Sequence, residues 1–256
     1  MACKYVLGVQ KQTSNVAVLL ELGRVPIGLF AIKAAIKNWE RIKSNKVTSL
    51  VHNSYSKAME ANLLWVSRVK LFLDQNGMAS FYTNNYQDKH PFIHKKLFQR
   101  LSDNFHQEAF STITNQNSKL RTYGILKDEI GMEKYLSEIY NPVIRKGYTK
   151  FRLSNHNLNI EKGRHKNIPK ELRFCPFCPN QVETEVHFLI ECETYKTVKE
   201  ATIQPIMDTV PNFAYYTKTE QFQYLLREEL APITAQYINN CFELRNFLVE
   251  KPKRCY

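Results

Sequence analysis

Aspartate is scarce and scattered: the chain has five, at 74, 88, 103, 128 and 208, and no two are adjacent. A two-metal phosphoryl-transfer site needs carboxylates that converge on the ions, so no such site is expected. Glycine is sparse as well, eight in 256 residues, and none falls in a phosphate loop or a nucleophile elbow. The H-E-x-x-H pair of a zinc protease is absent too. With no catalytic signature and no small-molecule pocket motif, an independent hydrolase is the least supported reading. Long apolar runs are also missing. The longest, Val16 to Leu20 and Pro26 to Ile32, stop at Glu21 and Lys33, far short of the ~20 residues a membrane helix needs. Residues 1–8 hold no apolar core of signal-peptide length, so the expected location is inside the cell, nuclear or cytoplasmic, with no membrane partner.

What the chain has in excess is positive charge. Thirty-six Lys and Arg stand against 24 Asp and Glu, a net of +12. Residues 1–128 carry +10 of it, and residues 145–173 form a local block of nine basic groups against Glu161 and Glu171. An acidic stretch follows directly, with Glu183, Glu185, Glu191 and Glu193 and no Lys or Arg over residues 176–193. Both a solvated charged face and a nucleic-acid footprint fit the basic block.

The periodicity is helical. Thr13 or Ser14 caps a short helix ended by Gly23, and Pro26 opens another through Trp39. Met59, Leu63, Val66, Val69 and Leu73 share one face of a helix drawn from Ser56 to Asn76. Ile93, Leu97, Leu101 and Phe105 form a second stripe behind Pro91; Tyr237, Cys241, Leu244 and Leu248 form a third. All read as core packing, Cys241 included. His90 reads as a cap for the second stripe rather than as half of a metal pair with His94. The expected fold is therefore mainly α, an irregular helical bundle with a small zinc-stabilised knuckle in its C-terminal half. The expected division is a helical part over residues 1–128 and a cysteine-centred part over 129–256.

Cysteine supplies the one constellation with chemistry. Cys175-Pro-Phe-Cys178, eight residues, His187, four residues and Cys192 make a C-x2-C-x8-H-x4-C arrangement. Two thiolates on a tight turn can clasp one face of a zinc ion, and a His and a Cys on a following helical turn can close the tetrahedron. Four protein ligands leave no open position, so the expected zinc is structural. Clustered thiols beside a His in 18 residues also fit a reducing compartment better than a disulfide framework.

The stretch Phe151-Arg152-Leu153-Ser154-Asn155-His156-Asn157-Leu158-Asn159-Ile160-Glu161-Lys162-Gly163-Arg164, then Arg173, the four ligands, Glu183-x-Glu185-x-His187-Phe188 and Tyr195, resembles the zinc-binding C-terminal region of non-LTR (LINE-type) retrotransposon reverse transcriptases. Leu7-Gly8-Val9, Thr13-Ser14-Asn15 and Glu21-Leu22-Gly23-Arg24-Val25-Pro26 resemble the passage from thumb to connector in the same polyproteins. The resemblance spans residues 4 to about 200 and is most specific over 151–195. It implies metal binding by Cys175, Cys178, His187 and Cys192, and nucleic-acid contact by Arg152, Arg164 and Arg173. The aromatic-x-Asp-Asp motif of the polymerase palm is absent, so polymerisation is not expected of this chain.

The residues themselves point the same way. Arg145 and Arg152 lie seven apart, on one face of a helix, and Lys166 and Lys170 continue a stretch able to track phosphates. Phe177, between two ligands, suits either stacking on an unpaired base or packing against Phe174 or Phe188. The expected function is a non-catalytic, zinc-stabilised module binding RNA or DNA. The alternative is a zinc-dependent module whose basic block meets an acidic protein. The four glutamates of the knuckle are expected to repel phosphate, leaving the zinc as a brace for the basic segment.

Overall fold

A computed structural model describes residues 2–46, 48–83, 92–115 and 119–250 of the chain. Helix predominates, and among the described residues there is no strand, only two isolated antiparallel bridges, Leu22 with Met132 and Phe174 with Val182. No helix among them is long and apolar enough to cross a membrane. The chain forms two compact units, one of Met1–Arg24 with Ala109–Tyr256 and one of Val25–Glu108. The division expected at 128 is therefore corrected. The first 24 residues fold with the cysteine-containing part, because α1 (Ala2–Leu7) and α2 (Asn15–Glu21) bury Leu7, Ala17, Leu20 and Glu21 there.

The Val25–Glu108 unit holds α3 (Ile27–Lys43), α4 (Leu50–Glu60), α5 (Leu64–Gln75), α6 (Ala79–Thr83) and most of α7 (Ile93–Thr114). Trp39 is its centre: the indole Nε1 donates to Tyr55 Oη at 3.1 Å, and the ring stacks on Tyr82 at 6.0 Å. The single helix expected over Ser56–Asn76 is two. The chain breaks at Ala61–Leu63, where Asn62 takes φ 48°, a left-handed turn that Asn tolerates better than most residues. Val66 and Leu73 still reach the core, whereas Leu63, expected in the same stripe, falls in the break and is 48% exposed. His94 is held by Glu40 through both its backbone N–H and its ring; His90 and Pro91 lie outside the described residues.

The other unit continues with α8 (Arg121–Leu126), α9 (Tyr135–Glu138), α10 (Pro142–Arg152), α11 (Asn159–His165), α12 (Lys196–Thr202), α13 (Gln204–Met207), α14 (Lys218–Leu225) and α15 (Ala231–Glu250). Asn141 caps α10 and Pro142 opens it. Thr217 and Glu220 cap α14 reciprocally. α10 packs along α15, and Phe151, Phe188 and Phe242 meet between them, the last two with ring centroids 4.7 Å apart. The N-terminal segment is laid against residues 131–133: Gly23, at φ 59°, leaves no room for a Cβ against Gly131 and Met132, and Glu133 N donates to Glu21 O at 3.1 Å.

Candidate metal centre

Cys175 and Cys178 sit on a tight loop. Cys175 N donates to Gln181 O at 2.7 Å, Asn180 turns the chain at φ 62°, and the Phe174–Val182 bridge closes the loop behind it. His187 and Cys192 flank a π-helical turn, His187–Glu191. In an α-helix two residues five apart would diverge by about 140°. Here Cys192 N donates to His187 O at 2.8 Å, an i to i+5 bond that wraps Cys192 back beside the imidazole. Thr184 Oγ1 accepts from His187 N at 3.0 Å and fixes the start of that turn.

The four ligand atoms consequently lie within 4.8 Å of one another, with Cys178 Sγ 3.6 Å and Cys175 Sγ 4.0 Å from Cys192 Sγ. Cys175, His187 and Cys192 are buried and Cys178 half-buried. Contact with Cys192, then burial, pushes the Cys175 thiol up to about 12, while the same contact draws Cys192 down. Neither buried ring nitrogen of His187 completes a hydrogen bond, though Nδ1 lies 3.4 Å from Glu191 Oε2. Buried nitrogens without partners are costly, and a coordinated metal ion would take one of the two. This group can hold a metal ion.

Two residues of the acidic stretch lock the centre into the unit. Glu183 is buried and accepts from Arg245 Nε at 2.7 Å and Nη2 at 2.9 Å, and from Asn159 N at 2.5 Å. Glu185 is buried against His156 Nε2 at 3.0 Å. The expectation that all four glutamates repel phosphate is cut back to two, since Glu183 and Glu185 are buried and only Glu191 and Glu193 are exposed. Arg245, His156 and the two glutamates were not legible as a set. The available signal was an arginine four residues after Cys241 in an otherwise apolar stripe.

The predicted nucleic-acid residues divide. Arg145 and Arg152 do share a face of α10, but that face looks inward. Arg152 is 3% exposed, with Nε on Glu21 and Nη2 on Glu133, so it is withdrawn from the nucleic-acid set. Arg145 is half-buried with Nη1 on Ile139 O. Phe177 is half-buried, packed on the core and edge-on to Tyr195, which corrects its stacking role. Arg164 is paired with Glu161. Arg173 Nε and Nη1 bond the carbonyls of Ile168 and Ile160. Lys166 and Lys170 are exposed.

Cys241 is wholly buried, and burial pushes its thiol up to about 12, so it remains neutral. Cys241→Ala is expected to cost on the order of 1 kcal/mol in thermal or urea unfolding and to leave the metal content unchanged. Loss of metal at constant stability would contradict this placement. Comparison with family models, with curated proteins and with solved structures finds no match to this chain.

Proposed function

We propose that the chain is a non-catalytic nucleic-acid-binding module braced by a structural zinc ion, organised like the C-terminal region of LINE-type reverse transcriptases. Zinc is favoured by the donor set and by size. Four-coordinate zinc with Zn–S bonds of about 2.3 Å places its sulfurs about 3.8 Å apart, and the separations from Cys192 Sγ are 3.6 and 4.0 Å. With four protein ligands the ion has no open position, so its contribution is to hold the loop rather than to activate water. No polymerase, nuclease or protease activity is expected. Thiolate ligation also favours a reducing, intracellular setting, in the nucleus or cytoplasm.

The observation that carries the nucleic-acid reading is the gathering of cations from three distant chain segments. Burial, then Arg164, holds the Lys119 ammonium below its ordinary value, with Glu161 opposing and Lys4 adding to the effect, so Lys4, Lys119 and Arg164 lie near one another. Lys4 and Lys119 donate to the carbonyls of Lys11 and Gln12, and exposed Lys162, Lys166 and Lys170 extend the positive charge along the chain. Glu161 pairs with Arg164 and is the one carboxylate acting on Lys119 among these groups, so the cations outnumber it, and such an excess suits a polyanion.

The test is titration of the full chain with single-stranded RNA and duplex DNA at several salt concentrations. Replacing Lys4, Lys119 and Arg164 together with Ala should weaken binding to all sequences alike. It should also make the slope of log K against log salt shallower by about 2 to 3. An unchanged affinity and slope would transfer the basic face to the alternative, an acidic protein partner.

A further inference from the structure

We propose that the shallow pocket between α11 and the turn that follows it receives one unpaired nucleotide of the bound strand, a deepening that rests on the nucleic-acid reading above. The pocket has a volume of about 230 Å³. That is below the roughly 300–1,000 Å³ of sites that enclose a whole small molecule, and it suits a single ring with its phosphate left at the rim. Its lining includes Lys162, Lys166 and Arg173 and no carboxylate, which selects an anionic ligand. Lys162 and Lys166 are four residues apart, so their ammonium groups emerge on one side of α11 and its C-terminal cap.

The opposite wall is apolar and open. Leu172 is 57% and Phe174 38% exposed, an unusual pair to leave to water beside three cations. A base laid on that wall would cover both while its phosphate met the lysines. Asn159 joins the two walls: its Nδ2 donates to Phe174 O at 2.7 Å, which holds the backbone beneath the aromatic ring and turns Oδ1 into an available acceptor for a base edge.

Arg173 is the rigid part. Nε and Nη1 are bonded to Ile168 O and Ile160 O at 2.9 and 2.8 Å, which sets the guanidinium plane and leaves Nη2 without a protein partner. Its side chain passes directly over Gly163, where a Cβ would stand 2.5 Å from Arg173 Cγ. Glycine at that position is what lets the arginine line the pocket. A duplex keeps its base faces stacked inside, so only an unpaired base can reach such a wall.

The experiment compares the full chain with Phe174→Ala and Phe174→Tyr, each verified for metal content and thermal midpoint. The probes are single-stranded oligouridylate and a duplex DNA of equal length. Phe174→Ala should lower single-strand affinity about tenfold, as loss of one stacked base does, while duplex affinity and the salt slope stay at the parent values and Phe174→Tyr restores binding. Photocrosslinking of parent protein to oligonucleotide carrying 4-thiouridine should place the adduct within residues 159–174. Single-strand affinity equal to the parent's in Phe174→Ala, or equal losses on both probes, overturns the pocket while leaving the nucleic-acid reading in place; so does an adduct elsewhere. Parent protein that binds neither probe overturns the nucleic-acid reading itself.

Discussion

Replacing Cys178 with Ser and His187 with Ala together is expected to abolish zinc binding and to unfold the unit that contains them. Zinc-finger peptides gain roughly 10–16 kcal/mol from their ion near neutral pH, much of it folding free energy, and a unit that fixes its core around the ion should lose at least several of these. The ligands are not on a detachable flap. Phe188, Leu189 and Ile190, directly after His187, are core residues, and Tyr237 of α15 donates its hydroxyl to Leu189 O at 2.8 Å. When the metal leaves, Cys175 and Cys192 retain one another as partners but His187 retains buried nitrogens with none. Elemental analysis should give one zinc per parent chain and none in the double variant, and chelation should lower the parent's thermal midpoint. Acid should act as chelation does, because protons compete for the thiolates and the imidazole, so the zinc-dependent stability falls as pH falls. A parent chain that keeps its midpoint in chelator would refute the structural role.

Arg152→Ala is expected to cost about 3–5 kcal/mol, the range seen when one partner is removed from a buried ion pair. Arg152 lies between two carboxylates, with Nε 2.9 Å from Glu21 Oε1 and Nη2 2.6 Å from Glu133 Oε2. Its guanidinium also lies over the rings of Tyr135 and Tyr148, at 5.3 and 5.8 Å from their centroids. Lys127 Nζ completes the group on Glu133, and Tyr135 Oη donates to Glu21. Without the arginine, Glu21 keeps only a tyrosine hydroxyl while wholly buried. Burial already pushes the Glu133 carboxyl above its ordinary value, and losing its principal cation would push it further. Arg152→Lys should recover only part of the loss, since an ammonium cannot donate along two fixed directions to two carboxylates. Urea unfolding measures the difference; a cost below about 1 kcal/mol would show that the ion pairs of Arg152 with Glu21 and Glu133 do not anchor α10.

The Cys/His group able to hold a metal ion was legible because the information is local: spacing, residue type and the turn-forming Pro176 and Pro179 all lie within 18 residues. The helical class was legible for a similar reason, since apolar stripes report on a single segment. What escaped was pairing over distance. Glu183 finds Arg245 across 62 positions and Arg152 finds Glu21 across 131. A charged residue in sequence carries no mark that it will be buried against a counterion. Arg152 illustrates the error: its neighbours are basic, so the segment read as a surface, whereas the face it shares with Arg145 is turned to the interior. The break at Asn62 escaped because a left-handed residue between two stripes in phase leaves the stripe unbroken. The π-helical turn at His187 escaped because four intervening residues are compatible with more than one winding.

The discontinuous unit has a consequence for the order of events at the ribosome. Residues 1–24 emerge first but belong with residues 109–256, so they must wait while residues 25–108 are synthesised. The intervening unit is continuous in sequence and can close on contacts already made, whereas Glu21 meets Arg152 only after a further 131 residues have been added. Until then the nascent chain carries an apolar, carboxylate-bearing helix with nothing to dock on. A fragment begun at residue 109 inherits the converse defect, keeping Arg152, Glu133 and Lys127 but lacking Glu21. It should aggregate or require the peptide 1–24 supplied in trans, which would then behave as a complementing piece of the same fold.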